Sequence, residues 1–314
     1  MTVRRRARRA APGLESANGA YWPPGLYDEG VTSTENSPIS RHDGEGIEPL
    51  RARLERGLML LPASANVVMQ LSRRGVGRGV AESRVSNGSL MKRPLKRLRT
   101  TLAYIWIALY GSEDERREMR RNVDAQHRHV RSRPDDDVTY DAYDADLQLW
   151  VAACMYVGSL QGYQTLYGPA GEATANELLA HCGRFATTLQ VPPAKWPRDC
   201  SAFDAYWSSA TTQLEIDEVT GAYLRDFVDL AFLPRPLARA LRPFNRLLTG
   251  GYLAPVFREA LGWSWTKRDQ RRFEQICRVA QLLNRVLPAP LAHFPWNLVR
   301  YDTRRRITRR RPLL

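Results

Sequence analysis

The chain has 314 residues, 43 % of them hydrophobic and 25 % charged, an ordinary composition for a soluble globular protein that buries a sizeable core. The formal net charge is +14, but arginines crowd the two ends (Arg4, Arg5, Arg6, Arg8 and Arg9, then Arg304, Arg305, Arg306, Arg309, Arg310 and Arg311), so the body between them is only mildly basic. The cysteines Cys154, Cys182, Cys200 and Cys277 form no CxxC or CxxH pair, which argues against a zinc site and fits a reducing, cytoplasmic setting.

Residues 1–45 are rich in Arg, Gly, Pro, Ser and Asn without a period and read as a disordered arm. Ala11-Pro12-Gly13 follows the first arginine run where a secretory signal would need an apolar segment, so no signal is expected. Leu50, Leu54, Leu58 and Leu61 then recur at helical spacing up to Pro62, and Val67, Val68 and Leu71 mark a second short helix. Glycines at 75, 77 and 79 predict a loop. From Pro94, an apolar stripe of Leu95, Leu98, Leu102, Ile105 and Leu109 predicts a helix that Gly111 closes. Ser112 with Glu115 is a capping-box pattern, opening a helix expected to run through Met119, Val123 and Val130 to the Pro134–Asp137 turn.

Asp144 is placed to cap the next helix. The run from Leu147 to Gly171 carries no charge; its glutamines and glycines favour a buried central helix over a membrane span. Further helices are expected near Glu172–Gln190, Ala202–Gln213, Gly221–Phe232, Arg235–Leu248, Leu253–Leu261 and Lys267–Leu287, separated by proline-rich joints. No alternating strand pattern appears. The expectation is an all-α protein: one large helical domain over residues 46–302, with a basic tail at 303–314.

The chain has no Walker loop, GxGxxG, GxSxG or HExxH. Of its five histidines, His42 lies in the arm, and His181 and His293 stand alone and read as structural. His127 borders the apolar side of the helix that Ser112 opens, while His129 points toward solvent. A neutral imidazole entering an apolar interior suits a haem iron, and it equally suits a hydrogen-bonded core histidine. Arg97 and Thr101 lie four residues apart and share a helix face; they suit either a polar cavity wall or an ordinary surface.

The ordered set Arg97-x-x-x-Thr101, His127-x-x-Val130 and Tyr140-x-Ala142-x-Asp144-x-x-Leu147-x-x-Trp150-Val151 resembles the core pattern of the MpaB and rubber oxygenase (latex clearing protein) catalytic domains. Val76-x-x-Gly79-Val80-x-Glu82 before it, and Tyr167-Gly168-Pro169, Trp196-Pro197, Phe203-x-x-Tyr206-Trp207 and Leu253-x-Pro255-x-x-Arg258-Glu259 after it, extend the resemblance over roughly residues 50 to 300. The resemblance implies a helical domain enclosing one haem b, with His127 as the iron ligand, Arg97 and Thr101 near the distal side and Glu82 as the nearest match to a proton-transferring acid. Thr100 stands where rubber oxygenases have a Lys, so no distal Lys ligand is expected; Arg73-Arg74 and Ala152 are further departures from the family pattern.

The expected function is a haem-dependent oxygenase that cleaves a C=C bond of an apolar, isoprenoid or lipid-like substrate with O2. The arginine-rich ends suit peripheral contact with an anionic membrane. The rivals are a non-catalytic haem carrier or sensor and, less favoured for want of a helix-turn-helix pattern, a basic helical nucleic-acid-binding or scaffold protein.

Overall fold

A computed structural model describes residues 47–83 and 90–314; the expected disordered arm lies outside the described residues. Among the described residues there are fourteen α-helices and no strand, and an isolated bridge between Arg131 and Asp141 is the sole extended pairing. In chain order they are α1 (Ile47–Leu54), α2 (Ala63–Leu71), α3 (Arg74–Ala81), α4 (Pro94–Tyr110), α5 (Glu113–His127), α6 (Ala145–Tyr167) and α7 (Glu172–Thr188). The second half holds α8 (Cys200–Thr211), α9 (Glu218–Val228), α10 (Arg235–Tyr252), α11 (Pro255–Ala260), α12 (Lys267–Val286), α13 (Ala289–Ala292) and α14 (Trp296–Thr308). The all-α expectation holds.

The charge-free run forms α6, the spine of the domain. It packs against α7, α2 and α12 and is buried from Gln148 to Leu166 apart from a half-buried stripe of Val151, Met155 and Ser159, which is why it needs no charged face. No helix among the described residues is long and apolar enough to cross a membrane. Two buried glutamines of α6 bond to other elements of the core. Gln161 donates to the Tyr252 carbonyl at 2.8 Å, and Gln148 accepts from the Gln190 amide at 2.7 Å. Gly158 is where α2 comes closest, since a Cβ there would collide with the Asn66 side chain.

Two terminal signals act as read. Ser112 and Glu115 form the reciprocal capping box of α5, and the Asp144 carboxylate accepts from the amides of Asp146 and Leu147 to start α6. Three expectations need correction. The segment with Gly75, Gly77 and Gly79 is helical, not a loop. Its glycines serve packing, because a Cβ on Gly77 would lie 2.6 Å from the Leu71 carbonyl oxygen and from Thr220 Cγ2. Helix α5 stops at His127, so Val130 lies beyond it, in a loop that packs on α3.

The third correction concerns the C-terminus. The expected boundary at residue 302 falls inside α14, whose inner side buries Trp296 and Thr303. Beyond it Leu313 is buried as well, in a cluster with Leu102, Trp106, Ile107, Met119 and Val123. Arg99 donates to the Leu313 carbonyl at 3.2 Å and lies 3.6 Å from Asp302. The arginine-rich end is thus a brace on α4, held by apolar burial and not free to act as a simple tail.

Candidate functional site

Helix α4 changes character along its length. Its second half buries Leu102, Trp106, Ile107 and Leu109, whereas Leu95 and Leu98 in its first half are 81 % and 54 % exposed. The apolar stripe expected to bury all five residues is therefore cut in two. Arg97 and Thr101, one turn apart, also keep accessible surface. Protein nevertheless crowds Arg97 enough for desolvation to lower its pKa, with the Tyr223 hydroxyl of α9 opposing that shift. Arg97 therefore has protein on one side and open surface on the other. Thr100 faces the other way: it is buried, and its hydroxyl donates to the Arg97 carbonyl at 3.0 Å.

His127 is the last residue of α5 and is half-buried. Burial pushes its pKa down, and the positive charge of Arg97 pushes the same way, against Asp124 and Asp141. The imidazole is therefore neutral at neutral pH, and Arg97 and His127 share one electrostatic neighbourhood although 30 residues separate them. The His127 ring meets Tyr143 edge-on at 6.4 Å, and the Tyr143 hydroxyl donates to the Asp124 carbonyl at 2.9 Å, which steadies that wall. Nδ1 of His127 is buried with no hydrogen-bond partner. Such an orphan costs on the order of 1–3 kcal/mol. Among the described residues no group of three or more His, Cys, Asp or Glu side chains is arranged to hold a metal ion. A lone neutral imidazole suits a metal that brings its other ligands with it, as a porphyrin iron does. The residues present fit that group.

Glu82 sits elsewhere. It is exposed at the C-terminal end of α3 and pairs with Arg78, which also donates to Asp217 and Asp137, each at 2.5 Å. With His129, Val130, Tyr140 and the loop from Arg128 to Asp136, Glu82 lines an open cleft of 790 Å³. The structure brings Arg97 of α4 within electrostatic range of His127, with Thr101 one turn along from Arg97, and groups Glu82 with His129 instead. The sequence reading missed Tyr223, and no local signal could have supplied it, because α9 joins the site only through tertiary packing. The two departures at 73 and 74 have structural partners: the Arg73 guanidinium lies 5.7 Å over the Trp150 ring, and Arg74 pairs with Glu215 at 2.9 Å.

His181, read as structural, is buried in α7 with Nε2 unpartnered, its ring 5.9 Å from that of Tyr110. Burial first, then the charges of Arg184 and Arg51, bring its pKa down to about 4. Because the folded value lies below the unfolded one, His181 favours the folded state above pH ~6.5, and that contribution is lost as pH falls toward 4. The loss should reach on the order of 3 kcal/mol. Denaturant melts of the wild type and His181→Phe should diverge across this window, the variant losing less stability on acidification; parallel curves would show that His181 is not held neutral.

Residues 50–282 match the family described as ER-bound oxygenase mpaB/B'/Rubber oxygenase, catalytic domain. The uncharacterized protein Rv2237 of Mycobacterium tuberculosis and the uncharacterized protein Mb2261 of Mycobacterium bovis are each 45 % identical to the chain over 246 residues, covering 78 % of it and 96 % of their own lengths. No solved structure matches. With the match running from within α1 through most of α12, and including Arg97, Thr101 and His127, the chain belongs to the family of mpaB and rubber oxygenase catalytic domains.

Proposed function

We propose that this oxygenase-family protein works with haem b, bound through His127, and oxidatively cleaves a C=C bond of an apolar, isoprenoid or lipid-like substrate. The observation that carries the reading is the neutral, unpartnered imidazole of His127 in the electrostatic range of Arg97. When bound, the haem supplies the iron that activates dioxygen. The chain supplies the surroundings. His127 offers a lone pair that burial keeps unprotonated. Arg97 and Thr101 bring a fixed cation and a hydroxyl to the His127 side of α4, where both would serve as hydrogen-bond donors to an oxygen-rich centre. Leu95 and Leu98 add apolar surface suited to a hydrocarbon chain. Glu82, the acid that the family resemblance suggests as a proton carrier, lies in the neighbouring cleft with His129 and pairs there with Arg78.

Protein produced with adequate haem should be red-brown and should yield a b-type pyridine haemochrome, because no CxxCH is present for covalent attachment. Colourless protein that takes up no added hemin would sink the reading. Oxygen uptake in the presence of squalene, as an isoprenoid probe, separates an oxygenase from a haem carrier, which binds haem and consumes nothing.

A further inference from the structure

Much exposed apolar surface lies at the C-terminal end of the domain. On α12, Val279, Leu282 and Val286 follow one another at helical spacing on the face opposite buried Phe273, Cys277 and Ala280, and each is more than half exposed. Phe294, Leu298 and Tyr301, at the start of α14, are exposed to the same degree. Arg56 links the two helices: its guanidinium donates to the Asn284 carbonyl at 3.0 Å, and its own carbonyl accepts from the Trp296 indole at 3.2 Å. Isolated exposed leucines are ordinary, but two runs of three large exposed apolar side chains on helices linked through Arg56 mark a contact surface.

The charge beside this surface selects the partner. From Gln275 to Leu314 the chain holds nine arginines and one acid, Asp302. Arg306 takes up Asp302, whereas Arg305 and Arg309 continue the exposed face of Leu298 and Tyr301 and have no ion pair among the described residues. We propose that this surface docks the protein on an anionic lipid bilayer. The apolar side chains enter the headgroup boundary while the arginines meet lipid phosphates. A second copy of the chain would bring two strongly cationic surfaces together, and nucleic acid would give the leucines nothing to bury against. The surface involves α13 and α14, which lie past the end of the family match, and it does not rest on the haem reading.

The test is co-sedimentation of the full chain with vesicles of mixed phosphatidylcholine and phosphatidylglycerol, and with vesicles of phosphatidylcholine alone. The wild type should bind the mixed vesicles better, and binding should weaken as salt rises. Leu282→Gln/Val286→Gln/Leu298→Gln should weaken binding about tenfold or more on mixed vesicles. Arg305→Gln/Arg309→Gln should do the same there while leaving binding to neutral vesicles unchanged, since each arginine near a charged surface is worth about fivefold. Both variants change exposed side chains, so their helical circular dichroism and melting temperature should match the wild type; the arginine pair keeps the test open if the apolar triple variant misfolds. The N-terminal arginines are present in every variant and cancel. Three results would overturn the proposal: no vesicle binding by the wild type, binding that survives both variants, or a dimer in light scattering that the apolar variant dissolves without vesicle binding.

Discussion

His127→Ala is expected to lose most of its haem, or to hold it loosely with a shifted Soret band, while His129→Ala keeps a wild-type haem content and spectrum. The two side chains are separated by one residue, yet the end of α5 falls between them. His127 is the last helical residue, half-buried with Nδ1 enclosed, and its pKa is lowered by burial and by Arg97. His129 is exposed and lines the open cleft with Glu82. Iron binds the unprotonated imidazole, so a histidine held neutral by burial is the better ligand at neutral pH. Haem per protein, measured by pyridine haemochrome, checks the assignment, and Arg97→Met serves as the control that removes the neighbouring charge but not the ligand. Should His129→Ala be the haem-deficient variant while His127→Ala binds normally, the site is misassigned even if the family's chemistry stands.

The second large effect is on stability. Trp150 is fully buried on α6 and stacks on Trp207, ring centroids 5.1 Å apart and planes 13° from parallel. Its indole N–H donates to the Gln70 carbonyl of α2 at 3.1 Å. Trp150→Ala therefore opens a cavity where α2, α6 and α8 meet, and about 3–5 kcal/mol of unfolding free energy should be lost. That is a large share of the roughly 5–15 kcal/mol typical of a folded domain. Trp150→Phe retains a ring against Trp207 and forfeits the hydrogen bond and part of the volume, so about 1–2 kcal/mol is expected. Urea unfolding with an unchanged m value checks both. A loss below about 1 kcal/mol for Trp150→Ala would mean that the core collapses around the gap or that α6 is not the central support.

What could be read without tertiary information was whatever depends on near neighbours in the chain. The start of α5 at Ser112 and of α6 at Asp144 follow from side chains reaching amides two or three residues on, bonds that need no distant partner. The burial of α6 follows from a run of 25 residues, Leu147 to Gly171, with no charge to place in water. The ordered motif set placed the chain in its family because spacing along a helix is preserved on folding. Four features were decided only by long-range packing. Glycines at 75, 77 and 79 weaken a helix by local propensity, yet α3 forms because Thr220, from α9, needs the space a side chain at 77 would fill. Leu95 and Leu98 carry the same helical period as Leu102, and only the reach of the neighbouring helices determines where burial stops along α4. Tyr223 faces Arg97 across more than a hundred residues of chain, a juxtaposition no local pattern encodes. The arginine-rich terminus reads as solvated from its charge, but a helix needs only one apolar stripe to be held, and Trp296, Thr303 and Leu313 provide the inner side that seats it against α4.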